Sequence, residues 1–291
     1  MPLHESSECI PWTVAVTTEC LAIVILNIIT IIVFVKQRQL KRRSTYLIIH
    51  LAIVDLLVGA VSGPVYIYWL GSFCDLWELA LTSDSHRKLL NILLQRFPFA
   101  SLLNLAAISL ERVHATLCPF RHRLIQKWVY GVMIIVIWFT NITVALIERA
   151  TSSGIFYFTS FLFFLFIISV SYISIFIKVH LSRSLPRHGA AAARERKLTS
   201  ILFMVTLTSL FMWFPSVIQT GMYIFSFPLL INSFWVPYFQ IIMVALYLAN
   251  SLINPIVYAM RMPELRQGIK QIILRMTPNH INPGEIPLRD F

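Results

Sequence analysis

The chain has 291 residues, of which 57% are hydrophobic and only 13% charged, with a net charge of +11 and mean hydropathy +0.74. That charge content is too low to cover the surface of a water-soluble protein of this length, so a soluble globular domain is excluded. The apolar residues fall in long runs, which makes lipid the expected solvent.

A helix needs about 20 apolar residues to cross a bilayer's hydrocarbon layer, and backbone amides in lipid must satisfy one another. Seven stretches meet that requirement, so the fold class is an all-α membrane protein, a seven-helix bundle. In chain order they are Pro11–Val35, Tyr46–Leu70, Leu89–Leu117, Trp128–Ile147, Ile155–Ile177, Leu198–Phe225 and Phe234–Met260. The first is too long for a signal peptide's apolar core, and reads as a retained span. The predicted organisation is an extracellular tail over 1–10, a membrane domain over 11–260, and an amphipathic helix with cytosolic tail over 261–291.

The connections alternate in charge. Lys36, Arg38 and Lys41–Arg43 follow the first span; Arg121, Arg123 and Lys127 follow the third. Arg183, Arg187, Arg194, Arg196 and Lys197 precede the sixth, and Arg261, Arg266, Lys270 and Arg275 follow the seventh. The opposite face carries Asp75, Glu78, Asp84 and Glu148. The positive-inside rule therefore places the amino terminus outside and the carboxyl terminus in the cytosol. Topology accounts for the basic charge, and no nucleic-acid partner is needed.

The loop between the fourth and fifth spans is short, Arg149–Gly154, and so is the third cytosolic loop, Leu181–Arg194, with its Ala-rich patch. After the seventh span, Pro263 suits a helix's first turn, and Leu265, Ile269, Ile272 and Ile273 recur at helical spacing. This segment reads as a short helix on the cytosolic leaflet. Cys9 and Cys74 both fall outside and are able to pair; Cys20 and Cys118 are expected to stay reduced. The sequon at Asn141 lies inside the fourth span and is expected to go unused.

Polar residues inside spans cost free energy and mark function. Span two carries Leu51–Gly59 with Asp55 at its centre, and span three ends in Glu111-Arg112-Val113. Span six carries Met212-Trp213-Phe214-Pro215, and span seven Asn250-Ser251-Leu252-Ile253-Asn254-Pro255-Ile256-Val257-Tyr258. With these motifs in order and in these spans, the sequence resembles the rhodopsin-like (class A) G-protein-coupled receptors over nearly its whole length.

The resemblance implies a receptor that passes binding of an extracellular ligand to a heterotrimeric G protein by outward motion of the sixth helix. It implies an inactive-state clasp between Arg112 and Glu195, with Tyr172 and Tyr258 turning inward once it opens; the alternative is an Arg112 that snorkels to the interface. Around Asp55 it implies Asn27, Ser101, Trp213, Asn250, Ser251 and Asn254, a polar set whose hydroxyl and amide oxygens, with the carboxylate, suit an allosteric sodium ion. The alternative is a neutral Asp55 in a water network. Pro215 bends the sixth helix, and Trp213 beside it either reports ligand occupancy to that hinge or simply packs.

Some family features are missing. Arg87 replaces the usual cysteine, Phe164 the usual proline of span five, and Ser209 the aromatic residue below Trp213. Such losses, with the short second outer loop, are similar to the melanocortin branch and its lysophospholipid and cannabinoid relatives. Leu94 stands where amine receptors carry Asp, and Leu248 where retinal proteins carry Lys. Candidates for the ligand pocket are Leu94, Arg96, Phe97, Glu148, Gln219, Gln240 and Tyr247. Arg96 either anchors a ligand, snorkels, or pairs with Glu148. No nucleophile–base or metal-ligand pattern suggests an enzyme; the other readings are a constitutively active receptor without a dedicated ligand, and a transporter.

Overall fold

The computed structural model describes residues 6–37, 45–73, 76, 84–151, 154–181, 190–224 and 236–276. Seven helical segments are long and apolar enough to cross a membrane. The first is α1 (Ser6–Lys36). The second joins α2 (Thr45–Leu57) to α3 (Gly63–Phe73) through a π-type turn at Val58–Ser62. The third is α4 (Asp84–Leu117), followed by the short α5 (Pro119–Leu124). The fourth to seventh are α6 (Lys127–Thr151), α7 (Ile155–Leu181), α8 (Ala190–Ile224) and α9 (Val236–Arg261). The surface helix is α10 (Pro263–Met276).

The surface is inverted relative to a soluble protein. Phe139, Ile135, Phe166, Phe211 and Phe214 are all more than 60% exposed, while Asn27, Asp55, Ser101, Asn104 and Arg112 are each fully buried. Such an arrangement is stable only where the surroundings are apolar. The third span is the most buried of the seven and touches the second, fourth, fifth, sixth and seventh. It is the axis of the bundle.

Two boundaries differ from the sequence expectation. The sixth helix starts at Ala190 rather than Leu198, so the Ala-rich patch is helical and is no loop. Alanine is the strongest helix former, and no glycine or proline interrupts Ala190–Lys197. The first helix starts at Ser6, which makes half of the expected tail helical; Pro11 lies inside this helix and leaves the Ser7 carbonyl without its helical donor.

Prolines inside spans free backbone carbonyls, and neighbouring helices supply the missing donors. Pro255 leaves the Ser251 carbonyl without its helical partner, and Asn27 Nδ2 donates to it at 3.1 Å. Around Pro98 in α4, which frees the Leu94 carbonyl, neighbouring spans instead reach the flanking carbonyls: Ser62 Oγ donates to that of Leu93 (2.8 Å) and Asn141 Nδ2 to that of Arg96 (3.0 Å). The π-type turn is what brings Ser62 into the second span's contact with α4. Asn141 is thereby buried among helices, not offered at an outer surface.

The surface helix docks on the rest of the bundle. Leu265 is fully buried, Ile269 and Ile272 pack on the main core, and α10 touches both α1 and α9. At Gly268 an added Cβ would lie 2.5 Å from Val33 Cγ1 and 2.8 Å from Gln37 Nε2. Glycine there lets α10 approach α1 closely. Cys9 is disulfide-bonded, and Cys20 and Cys118 are free; Cys74 lies outside the described residues.

Candidate functional site: a polar spine from Arg96 to Arg112

At one end of the bundle, Arg96 on α4 donates from Nη2 to Glu148 Oε2 on α6 at 2.7 Å, so it pairs with Glu148 and does not snorkel. The guanidinium also lies over the Tyr157 ring (5.0 Å) and the Phe99 ring (5.8 Å), a cation–π arrangement. Tyr157 OH of α7 and Tyr247 OH of α9 are 3.5 Å apart. Leu94 and Phe97 are half-buried and pack against a separate outer cluster with Tyr66 and Leu70. The side chains of Gln219 and Gln240 lie outside the described residues. Sequence reasoning missed Phe99 and Tyr157, since aromatic residues in a span do not stand out.

Below this lies a row of aromatic contacts. Tyr157 meets Phe161 (6.1 Å between centroids), and Phe161 meets Trp213 edge-on (5.7 Å). Phe164, standing where the family has proline, packs against Phe99 at 6.2 Å. Ser209 is fully buried and donates to its own helix at the Val205 carbonyl, 2.9 Å away. The aromatic contact to Trp213 that the sequence lacks below it is thus supplied by the fifth span.

The buried centre is Asp55. Ser101 Oγ and Ser251 Oγ each donate to its Oδ1 at 2.9 Å, and Asn254 Nδ2 donates to its Oδ2 at 2.7 Å. The carboxyl thus ties the second span to the third and the seventh. Asn27 stands one layer out, donating to the Ile23 and Ser251 carbonyls. Asn250 and Trp213 differ from expectation: both are buried, but Asn250 Oδ1 and Trp213 Nε1 have no hydrogen-bond partner. The Oδ1 atoms of Asn27 and Asn254 are likewise buried without partners.

The unpartnered amide oxygens, the Asp55 carboxylate and the two serine hydroxyls are hard-oxygen donors, the ligand type that hard cations take. Among the described residues no group of three His, Cys, Asp or Glu side chains gathers at a metal-ligating distance.

A second polar relay was missed altogether. Trp138 Nε1 donates to His50 Nε2 (3.0 Å), His50 Nδ1 meets Asn104 Oδ1 (3.2 Å), and Asn104 Nδ2 donates to the Leu47 carbonyl (2.9 Å). An indole only donates, so His50 Nε2 accepts and the ring hydrogen sits on Nδ1. The relay joins spans two, three and four. His50 and Asn104 are polar residues within apolar runs, and the logic that singled out Asp55 applies to them equally.

At the opposite end of the bundle, Arg112 is fully buried and held by both carboxylate oxygens of Glu111, with Nη2 to Oε1 at 2.6 Å. Glu111 is held in turn by His122 Nε2 (2.7 Å) and by the Tyr130 hydroxyl, which donates at 3.3 Å. Neither partner was foreseen, because each comes from a different helix. Arg112 therefore does not snorkel. Glu195 lies on α8, but its side chain is outside the described residues, and the expected clasp with it. Tyr172 OH accepts from Thr206 Oγ1 at 3.0 Å, joining spans five and six, and Tyr258 packs edge-on against Phe34 at 6.2 Å. Pro255 is buried beside Asn254, and Pro215 half-buried two residues after Trp213.

Seven apolar spans packed about buried polar and charged groups define a helical-bundle membrane protein. The family model described as "7 transmembrane receptor (rhodopsin family)" matches residues 26–154 and 149–258. The chain belongs to that family and is a G-protein-coupled receptor. It is 26% identical to the human melanocortin receptor 5 over 264 residues, covering 85% of this chain and 79% of that receptor. It is 28% identical to the mouse histamine H4 receptor over 133 residues, 43% of this chain and 34% of that receptor. Against the mouse 5-hydroxytryptamine receptor 2B it is 30% identical over 121 residues, 41% of this chain and 24% of that receptor. Of these, the melanocortin receptor is matched along most of its length.

Proposed function

We propose that this receptor lies in the plasma membrane with its amino terminus outside, and that it converts ligand binding at the Arg96 end into nucleotide exchange on a heterotrimeric G protein at the Arg112 end. The observation that carries the reading is the burial of Arg112 against Glu111. A buried ion pair at the membrane's edge is costly to form and is strongly biased by whatever separates its members. In this scheme the sixth helix swings outward about Pro215, and the Phe161–Trp213 contact links that hinge to the outer pocket. Tyr172 then leaves Thr206, and Arg112 becomes available to the G protein.

The orientation is supported by the basic residues at the Arg112 end. Asp55, Ser101, Asn250, Ser251 and Asn254 are the residues that would hold a sodium ion, which would supply a positive charge opposite the Asp55 carboxylate. The aromatic route through Phe161 favours a ligand-driven receptor over one without a dedicated ligand.

Receptor purified in phospholipid nanodiscs and mixed with a panel of heterotrimers is expected to accelerate nucleotide exchange, and Arg112→Ala is expected to abolish it. Exchange that no heterotrimer supports, or that Arg112→Ala leaves intact, would sink the reading. For the cation, added sodium is expected to depress exchange in wild type and to have no effect in Asp55→Asn.

A further inference from the structure

Arg96 has more hydrogen-bonding capacity than its neighbours use. A guanidinium carries five N–H donors and no acceptor. Both acceptors present, Glu148 Oε2 at 2.7 Å and Gln95 Oε1 at 3.3 Å, take from the single nitrogen Nη2. Nε and Nη1 are buried with no hydrogen-bond partner. The residue as a whole is 8% exposed. Tyr157 and Phe99 cover the face of the group through their rings and leave those N–H edges unanswered.

Unanswered donors on a buried cation are costly, and an oxyanion answers several at once through the planar fork. The neighbouring carboxylate is the poorer anchor. Glu148 is already engaged, and its side chain is 27% exposed against 10% for Arg96. A cationic ligand would have to share the Glu148 carboxylate with the Arg96 group already bound to it, whereas an anion would meet the unused Nε and Nη1 donors of the guanidinium. The surroundings are apolar and aromatic, with Phe99 buried and Tyr157, Phe161 and Tyr247 beside it. Third, fourth, fifth and seventh spans all contribute.

We propose that Arg96 anchors the oxyanion of this receptor's ligand, a carboxylate or phosphate borne on a compact apolar body. The proposal rests on the reading of this end of the bundle as the ligand site. Glu148 then holds one edge of the guanidinium so that the other faces the ligand.

The test uses full-length receptor in phosphatidylcholine nanodiscs, titrated by thermal shift with phenylbutyrate, phenylpropyl phosphate, neutral phenylbutyramide and cationic phenylbutylamine. At least one anion is expected to bind about tenfold more tightly than the amide, the ratio for one charge-assisted hydrogen bond, and the amine not at all. Whichever anion wins assigns the group as carboxylate or phosphate. Arg96→Gln is expected to erase the preference for anions, and Arg96→Lys, which keeps charge but loses the fork, to weaken it. Glu148→Gln is expected to tighten anion binding severalfold, and it serves if the Arg96 variants fail to fold.

Amide binding as tight as that of the better anion, preferred binding of the amine, or anion preference that survives Arg96→Gln would overturn the proposal. So would absence of anion binding in both wild type and Glu148→Gln. Nucleotide exchange is read separately. Anion binding without exchange on any heterotrimer counts against the receptor reading and leaves the anchor standing. Exchange driven by a neutral or cationic ligand and unaffected by Arg96→Gln counts against the anchor alone.

Discussion

Replacing His122 by alanine removes one of the groups that hold Glu111, and the consequence can be worked from the geometry. His122 Nε2 lies 2.7 Å from Glu111 Oε1, with side-chain exposures of 17% and 4%. A hydrogen bond to a charged group contributes about 1.5–3 kcal/mol, and the partial exposure of the imidazole argues for the lower end. If that contact exists only while Glu111 holds Arg112, its loss shifts the resting equilibrium toward the signalling state by up to about tenfold. The Tyr130 hydroxyl, at 3.3 Å, is a longer contact. Tyr130→Phe is expected to give roughly a twofold shift, about 0.5 kcal/mol. Glu111→Gln, which removes the charge opposite Arg112, is expected to exceed both. The assay is the initial rate of ligand-free nucleotide exchange by receptor in nanodiscs, normalised to folded receptor, with Arg112→Ala as the silent control. The order expected is Glu111→Gln, then His122→Ala, then Tyr130→Phe, all above wild type. Basal exchange in His122→Ala at or below the wild-type rate would refute the view that the cytosolic segment restrains the switch through Glu111.

Three further outcomes concern stability, each read from thermal unfolding of purified receptor. Gly268→Ala drives a methyl into Val33 and Gln37, and is expected to destabilise the docking of α10 by about 1–3 kcal/mol. Wild-type behaviour would mean that α10 is not seated on α1. Trp138→Phe leaves His50 Nε2 without its donor and is expected to cost about 1–3 kcal/mol. Adding His50→Leu should cost less than the sum of the two single changes, because the pair acts as a unit; strict additivity would contradict the relay. Asn27→Ala leaves the Ser251 carbonyl with neither a helical nor a side-chain donor, and is expected to cost about 1–2 kcal/mol. No loss would show that the carbonyl freed by Pro255 needs no partner.

Periodicity and apolar length determined the number of spans, their order and the surface helix at Pro263, because lipid leaves a backbone almost no alternative to continuous helices. Charge in the connections supplied a predicted orientation, and Asp55 and Arg112 declared themselves because charge in an apolar run is too costly to be incidental. What the sequence left open was partnership. Whether Arg96 snorkels or pairs, which of six polar residues reach Asp55, and that His122 and Tyr130 close on Glu111 all depend on how helices face one another. Those contacts join residues from different helices, so no spacing along the chain encodes them directly. They follow from the rotation and depth of each helix, which the packing of the whole bundle sets. The same holds for the aromatic route through Phe161: one local motif is missing, and only the tertiary arrangement brings a ring from another span to Trp213.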